Sequence, residues 1–188
     1  MKKAIALAIA TSACSAAMSQ QILTGTIDVS GTPSVDGLGS PNNTVQVVDW
    51  NAFFGGGLSD FRVIAVGWNV TLSAFGESWL SEIGVNFRGT TSSGANLRPG
   101  AGVNNPGTQS FSSNGLVSLV DLGIAFNLAA DNLMRLEFFE SFDDGPGPDG
   151  NWDSGTLTFQ FEAVPEPATM AALGLGLVGI LARRHKRS

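Results

Sequence analysis

The chain has 188 residues and a formal net charge of −6, and the stretch 20–164 is long enough to bury one ordinary hydrophobic core. All acidic residues except Glu166 fall in that stretch, whereas its only cations are Arg62, Arg88, Arg98 and Arg135, which gives 4 − (16 − 1) = −11. Such a surface repels nucleic acid and attracts divalent cations, so nucleic-acid binding is excluded.

The amino terminus sets Lys2 and Lys3 before Ala-Ile-Ala-Leu-Ala-Ile-Ala at 4–10, then small residues through Ala17. That is the order of a secretory signal peptide, and a cut after Ser19 places Ala17 at the −3 position. Residues 1–19 therefore read as a signal peptide. Cys14 lies inside it and is the sole cysteine, so the exported chain has no disulfide framework.

From Gln21 to Ser30, Leu23, Ile27 and Val29 alternate with Thr24, Thr26 and Asp28, the two-residue period of a half-buried strand. Residues 31–43 are rich in Gly, Pro, Ser and Asn and predict a loop. Another apolar segment, 44–54, carries Trp50, Phe53 and Phe54 and stops at Gly55-Gly56-Gly57. The strongest strand pattern is 61–75, with Ile64, Val66, Trp68, Val70 and Leu72 assigned to one face. A further strand is expected over 78–88, with Trp79, Ile83, Val85 and Phe87. Residues 89–113 are too long for a structureless loop inside a domain and predict a short edge strand within them. Apolar stretches at 116–126 and 133–142 flank a turn at 129–132, and a last strand alternates over 155–164. Seven or eight strands and no soluble amphipathic helix predict an all-β fold, an antiparallel β-sandwich of jelly-roll type over residues 20–163.

Between the last two strands, Glu137, Glu140, Asp143, Asp144, Asp149 and Asp153 surround a Gly-Pro loop. Hard oxygen donors on a flexible loop suit Ca²⁺, and Asp143, Asp144, Asp149 and Asp153 are the candidate ligands. The alternative is an acidic turn in which Asp side chains cap backbone amides. Trp152, in the same polar segment, is the candidate for an exposed ring that stacks on a sugar. The Asp-rich turn followed by Trp152 and Gly155-Thr156-Leu157 resembles the closing hairpin of proprotein-convertase P-domains and related galactose-binding-like sandwiches. That resemblance implies calcium binding.

The chain ends with Pro165-Glu166-Pro167, an uncharged run over 168–182 and Arg183-Arg184-His185-Lys186-Arg187-Ser188. Two prolines around one residue stop a helix from propagating upstream. An apolar run closed by cations reads as a brief membrane helix with its basic end in the cytoplasm. Residues 164–188 resemble the PEP-CTERM sorting tail of Gram-negative surface proteins, also described as an ice-binding protein C-terminal domain. The resemblance implies an exosortase as partner, with Pro165, Glu166, Pro167, Arg183 and Arg184 as the sorting signal. It also implies passage through an inner-membrane intermediate to the cell envelope or extracellular matrix.

Enzyme chemistry has little to work with. The only histidine is His185, and the body lacks Lys, Tyr and, after signal removal, Cys. Imidazole-assisted nucleophiles, zinc sites and Schiff bases are therefore excluded from it. A two-carboxylate glycosidase survives on paper through Glu77 and Glu82 or Glu137 and Glu140, but strand positions 137 and 140 point to opposite faces. The sequence reads as a non-enzymatic structural or interaction protein. The alternative is a calcium-dependent module that binds secreted polysaccharide.

Overall fold

The computed structural model describes residues 20–166. The expected signal peptide, the membrane helix at 168–182, Pro167, Arg183 and Arg184 lie outside them. Within them two long strands, β4 (Leu58–Ala74) and β11 (Gly150–Pro165), pair antiparallel and form the middle of one sheet. On the free side of β11 lie β1 (Gln21–Asp28) and β2 (Thr32–Ser34); on the free side of β4 lie β7 (Gly107–Ser112), β8 (Val117–Ser118) and β9 (Phe126–Asn127). The second sheet runs β3 (Val45–Asp49), β10 (Leu133–Glu140), β5 (Ile83–Gly89), β6 (Gly94–Leu97). If β1–β2 and β7–β9 are each taken as one interrupted edge, the chain visits eight positions in the order of a double-sheet jelly roll. Among the described residues no helix is long and apolar enough to cross a membrane.

The two sheets meet through aromatic side chains. Phe87 of β5 packs on Phe159 of β11 at 5.2 Å between ring centroids, and Phe138 of β10 packs edge-on against Trp152 of β11 at 5.4 Å. Edge-to-face pairs of this kind add about 0.5–1.5 kcal/mol to simple burial. Met134, Leu136 and Phe138, alternate residues of β10, all enter this core.

Bulges decide which residues face inward. Ala65 pairs with Gln160 but Val63 pairs with Phe161, so Ile64 is an extra residue on β4. Such an insertion reverses the alternation. Phe61 and Val63 point into the core before it, and Val66, Val70 and Leu72 after it. The single apolar face expected from Ile64 to Leu72 thus excludes Ile64, whose carbonyl instead accepts from the amide of Leu119 at 2.8 Å. On β11, Trp152 pairs with Leu72 and Ser154 with Thr71, which makes Asp153 the extra residue. That bulge lets Trp152 and Leu157, of opposite parity, both turn inward. Trp152 is fully buried, so the expectation of an exposed, sugar-stacking ring at this position is corrected.

One pole of the sandwich is closed by rings. The single-turn helix α1 (Trp50–Phe53) is capped by Asp49, whose Oδ1 accepts from the amide of Ala52 at 2.9 Å. It buries Trp50 against Phe161 at 4.5 Å and Phe159 at 6.0 Å between centroids. Gly25 of β1 is required beneath it, since a Cβ there would stand 2.4 Å from the Trp50 ring. Gly55, Gly56 and Gly57 then turn the chain into β4 with φ of 91°, 84° and 78°, the left-handed region open to glycine. At this same pole β11 runs on through Pro165, which pairs with Leu58, and the amide of Glu166 donates to the Gly57 carbonyl at 2.9 Å. The domain therefore extends past residue 163, and the first two residues of Pro-Glu-Pro are half-buried against it.

Other expectations divide. Residues 89–113 supply two edge strands, β6 and β7, one to each sheet. The segment 116–126 forms only the two-residue strands β8 and β9, and the strand expected from 78 begins at Ile83. Burial of Trp152 yields a direct test. Trp152→Ala should lower unfolding stability by about 3–5 kcal/mol, read from denaturant midpoints. A loss below about 1 kcal/mol would place the ring at the surface.

Candidate functional site

At the pole opposite α1, two connections face each other, residues 75–82 between β4 and β5 and residues 141–149 between β10 and β11. Three hydrogen bonds hold them together. The amide of Phe75 donates to the Asp149 carbonyl at 2.8 Å, Ser78 Oγ to Asp144 Oδ2 at 2.7 Å, and the Ser141 amide to the Glu82 carbonyl at 3.0 Å. Within the first connection the Trp79 amide donates to Glu82 Oε2 at 2.8 Å, and the Glu82 amide donates to the Trp79 carbonyl at 2.9 Å. This reciprocal pair fixes a tight turn with the indole at its start.

An open cleft of about 460 Å³ lies at this pole, lined by Glu77, Trp79, Glu82, Phe142 and Asp144. Trp79 is 42% exposed and Phe142 62%. These rings stand outside the core and give the acidic cleft an exposed apolar wall. A second depression, about 250 Å³ on the outer face of the β11–β4 sheet, has no charged residue in its lining.

Beside the cleft stands Glu140, the last residue of β10 and in phase with the inward-facing Met134, Leu136 and Phe138. It is wholly buried, and neither carboxylate oxygen has a hydrogen-bond partner. Ser34 is its neighbour, but the Ser34 hydroxyl donates to the Phe139 carbonyl at 2.8 Å. Burial pushes the Glu140 carboxyl up to about 8; the adjacent Ser34 hydroxyl opposes the shift, and the negative charges of Asp149, Glu82 and Asp144 add to it. Asp149 is raised as well, by burial first and then by Asp143, Asp144 and Asp36, against the amide of Asp144 that donates to it. Three residues earlier Glu137 goes the other way. Although burial opposes it, donors from Asn43, Arg135 and Gly39 hold its carboxyl below the usual range. The two glutamates stand on opposite faces of the sheet, as their spacing requires.

The four carboxylates expected to hold calcium are not brought together. Asp143 Oδ1 accepts from the Gly145 amide at 3.1 Å, the local cap of an Asp turn. Asp144 N–H donates to Asp149 Oδ2 at 2.9 Å. Asp153 sits on the β11 bulge, where its carboxylate accepts from Ser73 Oγ and, at 2.8 Å, from Asn151 Nδ2. Among the described residues no three His, Cys, Asp or Glu side chains are grouped to hold a metal ion. Glu77 and Glu82, a conceivable carboxylate pair in the sequence, share the cleft; Trp79, expected on a strand over 78–88, and Phe142, expected at the end of an apolar stretch over 133–142, lie in the two connections instead. Turn chemistry around Trp79, with Gly76-Glu77-Ser78 before it and Ser81-Glu82 after it, was the available signal.

Glu140 makes stability depend on pH. The folded chain keeps its proton up to about 8, whereas an unfolded glutamate releases it near 4.5, so stability falls as pH rises through that window. Glu140→Gln should abolish this fall and exceed the wild type at pH 8.5 by on the order of several kcal/mol in urea unfolding. Parallel pH profiles for the two proteins would show that the carboxyl is solvated.

No curated protein matches the chain. Among solved structures, a protein of Desmodium yellow mottle tymovirus is 10% identical with a TM-score of 0.30, over 88% of this chain and 95% of that one. A turnip yellow mosaic virus chain is 9% identical with a TM-score of 0.30, over 88% and 91%. A chain of infectious bursal disease virus, Gt strain, is 10% identical with a TM-score of 0.28, over 79% and 41%. Likeness of this degree leaves the fold assignment to the strand order itself. Residues 163–187, which begin in β11, match the PEP-CTERM protein-sorting motif. The chain thus carries the sorting signal of a Gram-negative surface protein that an exosortase recognises.

Proposed function

We propose that this chain is an exported envelope or extracellular-matrix protein with no catalytic role, whose sandwich presents a glycan-binding cleft to secreted polysaccharide. The supporting observation is the exposed pair Trp79 and Phe142 set among Glu77, Glu82 and Asp144. Aromatic faces offer flat apolar area to the C–H face of a sugar ring, and carboxylates accept from its hydroxyls. Position supports the same reading. β11 leads from the cleft pole to the pole where the sorting motif begins, 16 residues or about 50 Å along the strand. Once the chain is tethered or cut near Pro165-Glu166-Pro167, the cleft is at the far end. Ring and carboxylate contacts do the binding, so EDTA leaves it unchanged.

The two halves of this reading separate experimentally. Replacing Pro165-Glu166-Pro167 by alanines should leave the exported chain in the inner membrane, followed by fractionation and immunoblotting; unaltered release would remove the exosortase half. On a glycan array the full-length chain should retain at least one saccharide class, and Trp79→Ala should reduce that signal about tenfold or more.

A further inference from the structure

We infer that the ligand of the Trp79–Phe142 cleft is a cationic saccharide, an amino sugar with a free ammonium group. The inference rests on the glycan-binding reading above and narrows it. Three carboxylates line the cleft, and Arg62–Glu162 and Arg135–Glu137 are the ion pairs among the described residues, so none of the three is paired with a cation. Arg98 comes to this pole but donates to Ser141 Oγ at 3.3 Å instead. Behind the lining stands Glu140, fully buried; burial and then the charges of Asp149, Glu82 and Asp144 keep it protonated, so it adds no negative charge of its own at neutral pH. Three carboxylates without an ion-pair partner make the cleft complementary to a cation.

The rings select the kind of cation. An ammonium over an indole or phenyl face is attracted by the ring quadrupole, and a pyranose adds the apolar C–H surface that a metal ion lacks. A peptide amine is the competing source. Peptides ordinarily dock by adding a strand to a free sheet edge, and the five lining residues all come from the two connections, not from a strand edge. One free carboxylate oxygen on Glu82 and one on Asp144, beyond those bound to the Trp79 amide and Ser78, remain for charge-assisted bonds to the ammonium.

The test is calorimetric titration of the full-length chain in a polyoxyethylene detergent with the glucosamine tetramer, its N-acetylated form, a glucose tetramer and tetralysine. The glucosamine tetramer should bind at least about tenfold more tightly than the acetylated and glucose tetramers, and its affinity should fall as salt rises. Glu82→Gln, which keeps an acceptor for the Trp79 amide, and Trp79→Phe, which keeps a ring, should each weaken it, with melting temperatures reporting that both variants fold. Equal binding of the acetylated or glucose tetramer would overturn the cationic ligand and leave glycan binding standing. Tetralysine bound as tightly through the same residues would replace the saccharide with a peptide. Silence from all four overturns the cationic saccharide, and only a glycan array that is silent as well removes the glycan reading with it.

Discussion

The ladder between β4 and β11 is the constraint on which the rest of the molecule depends. These are the two longest strands, they lie side by side in the middle of one sheet, and every other strand of that sheet pairs with one of them. Strands of such length would face the same way throughout if they alternated strictly, yet the core needs different parities at the two ends. The extra residues Ile64 and Asp153 supply the change of phase. Through them Phe61 and Val63 meet Phe161 at one end, while Leu72 meets Trp152 at the other.

From that ladder the two poles acquire opposite characters. Rings from α1, β4 and β11 fill the pole where the chain leaves the domain, and Gly25 yields the space they occupy. At the other pole the inward stripe of β10 continues from Phe138 to Glu140, and a carboxyl takes the place of another ring. Burial without a donor costs a carboxylate several kcal/mol unless it is neutralised. A buried acid at the end of a core is poor material for stability, and its neighbours Glu82, Asp144 and Asp149 worsen its position.

The sequence conveyed the fold class and most strand positions because alternation survives wherever one face is buried. The patterns over 21–30, 61–75 and 133–142 correspond to β1, β4 and β10. It misleads at Ile64, since an inserted residue is invisible to a two-residue period, and at Trp152, whose polar, acidic neighbours hide that β11 already begins at Gly150 and turns the ring inward. The edges were illegible for another reason. β6 and β7 are held by backbone pairing to β5 and β4 and need little apolar side-chain burial, so a run of Gly, Asn, Ser and Thr gives no periodic sign of them. The site was half legible. The acidity of 137–153 is plain, but only the folded pole places Phe142 and Asp144 with Glu77, Trp79 and Glu82 from 60 to 67 residues earlier.

The sorting motif and the sandwich are physically continuous. Pro165 ends β11 as a ladder residue opposite Leu58, where a missing N–H is tolerated because the strand stops there. Glu166 is tied by its amide to Gly57, on the loop whose three left-handed glycines follow the Trp50 pole. The same aromatic packing that closes the core therefore also holds the start of Pro-Glu-Pro against the domain. An enzyme that reads this signal meets it beside a folded surface, at the end of the domain remote from the cleft. The sorting signal and the Trp79–Phe142 cleft therefore lie at opposite ends of one strand, β11, and share no residues.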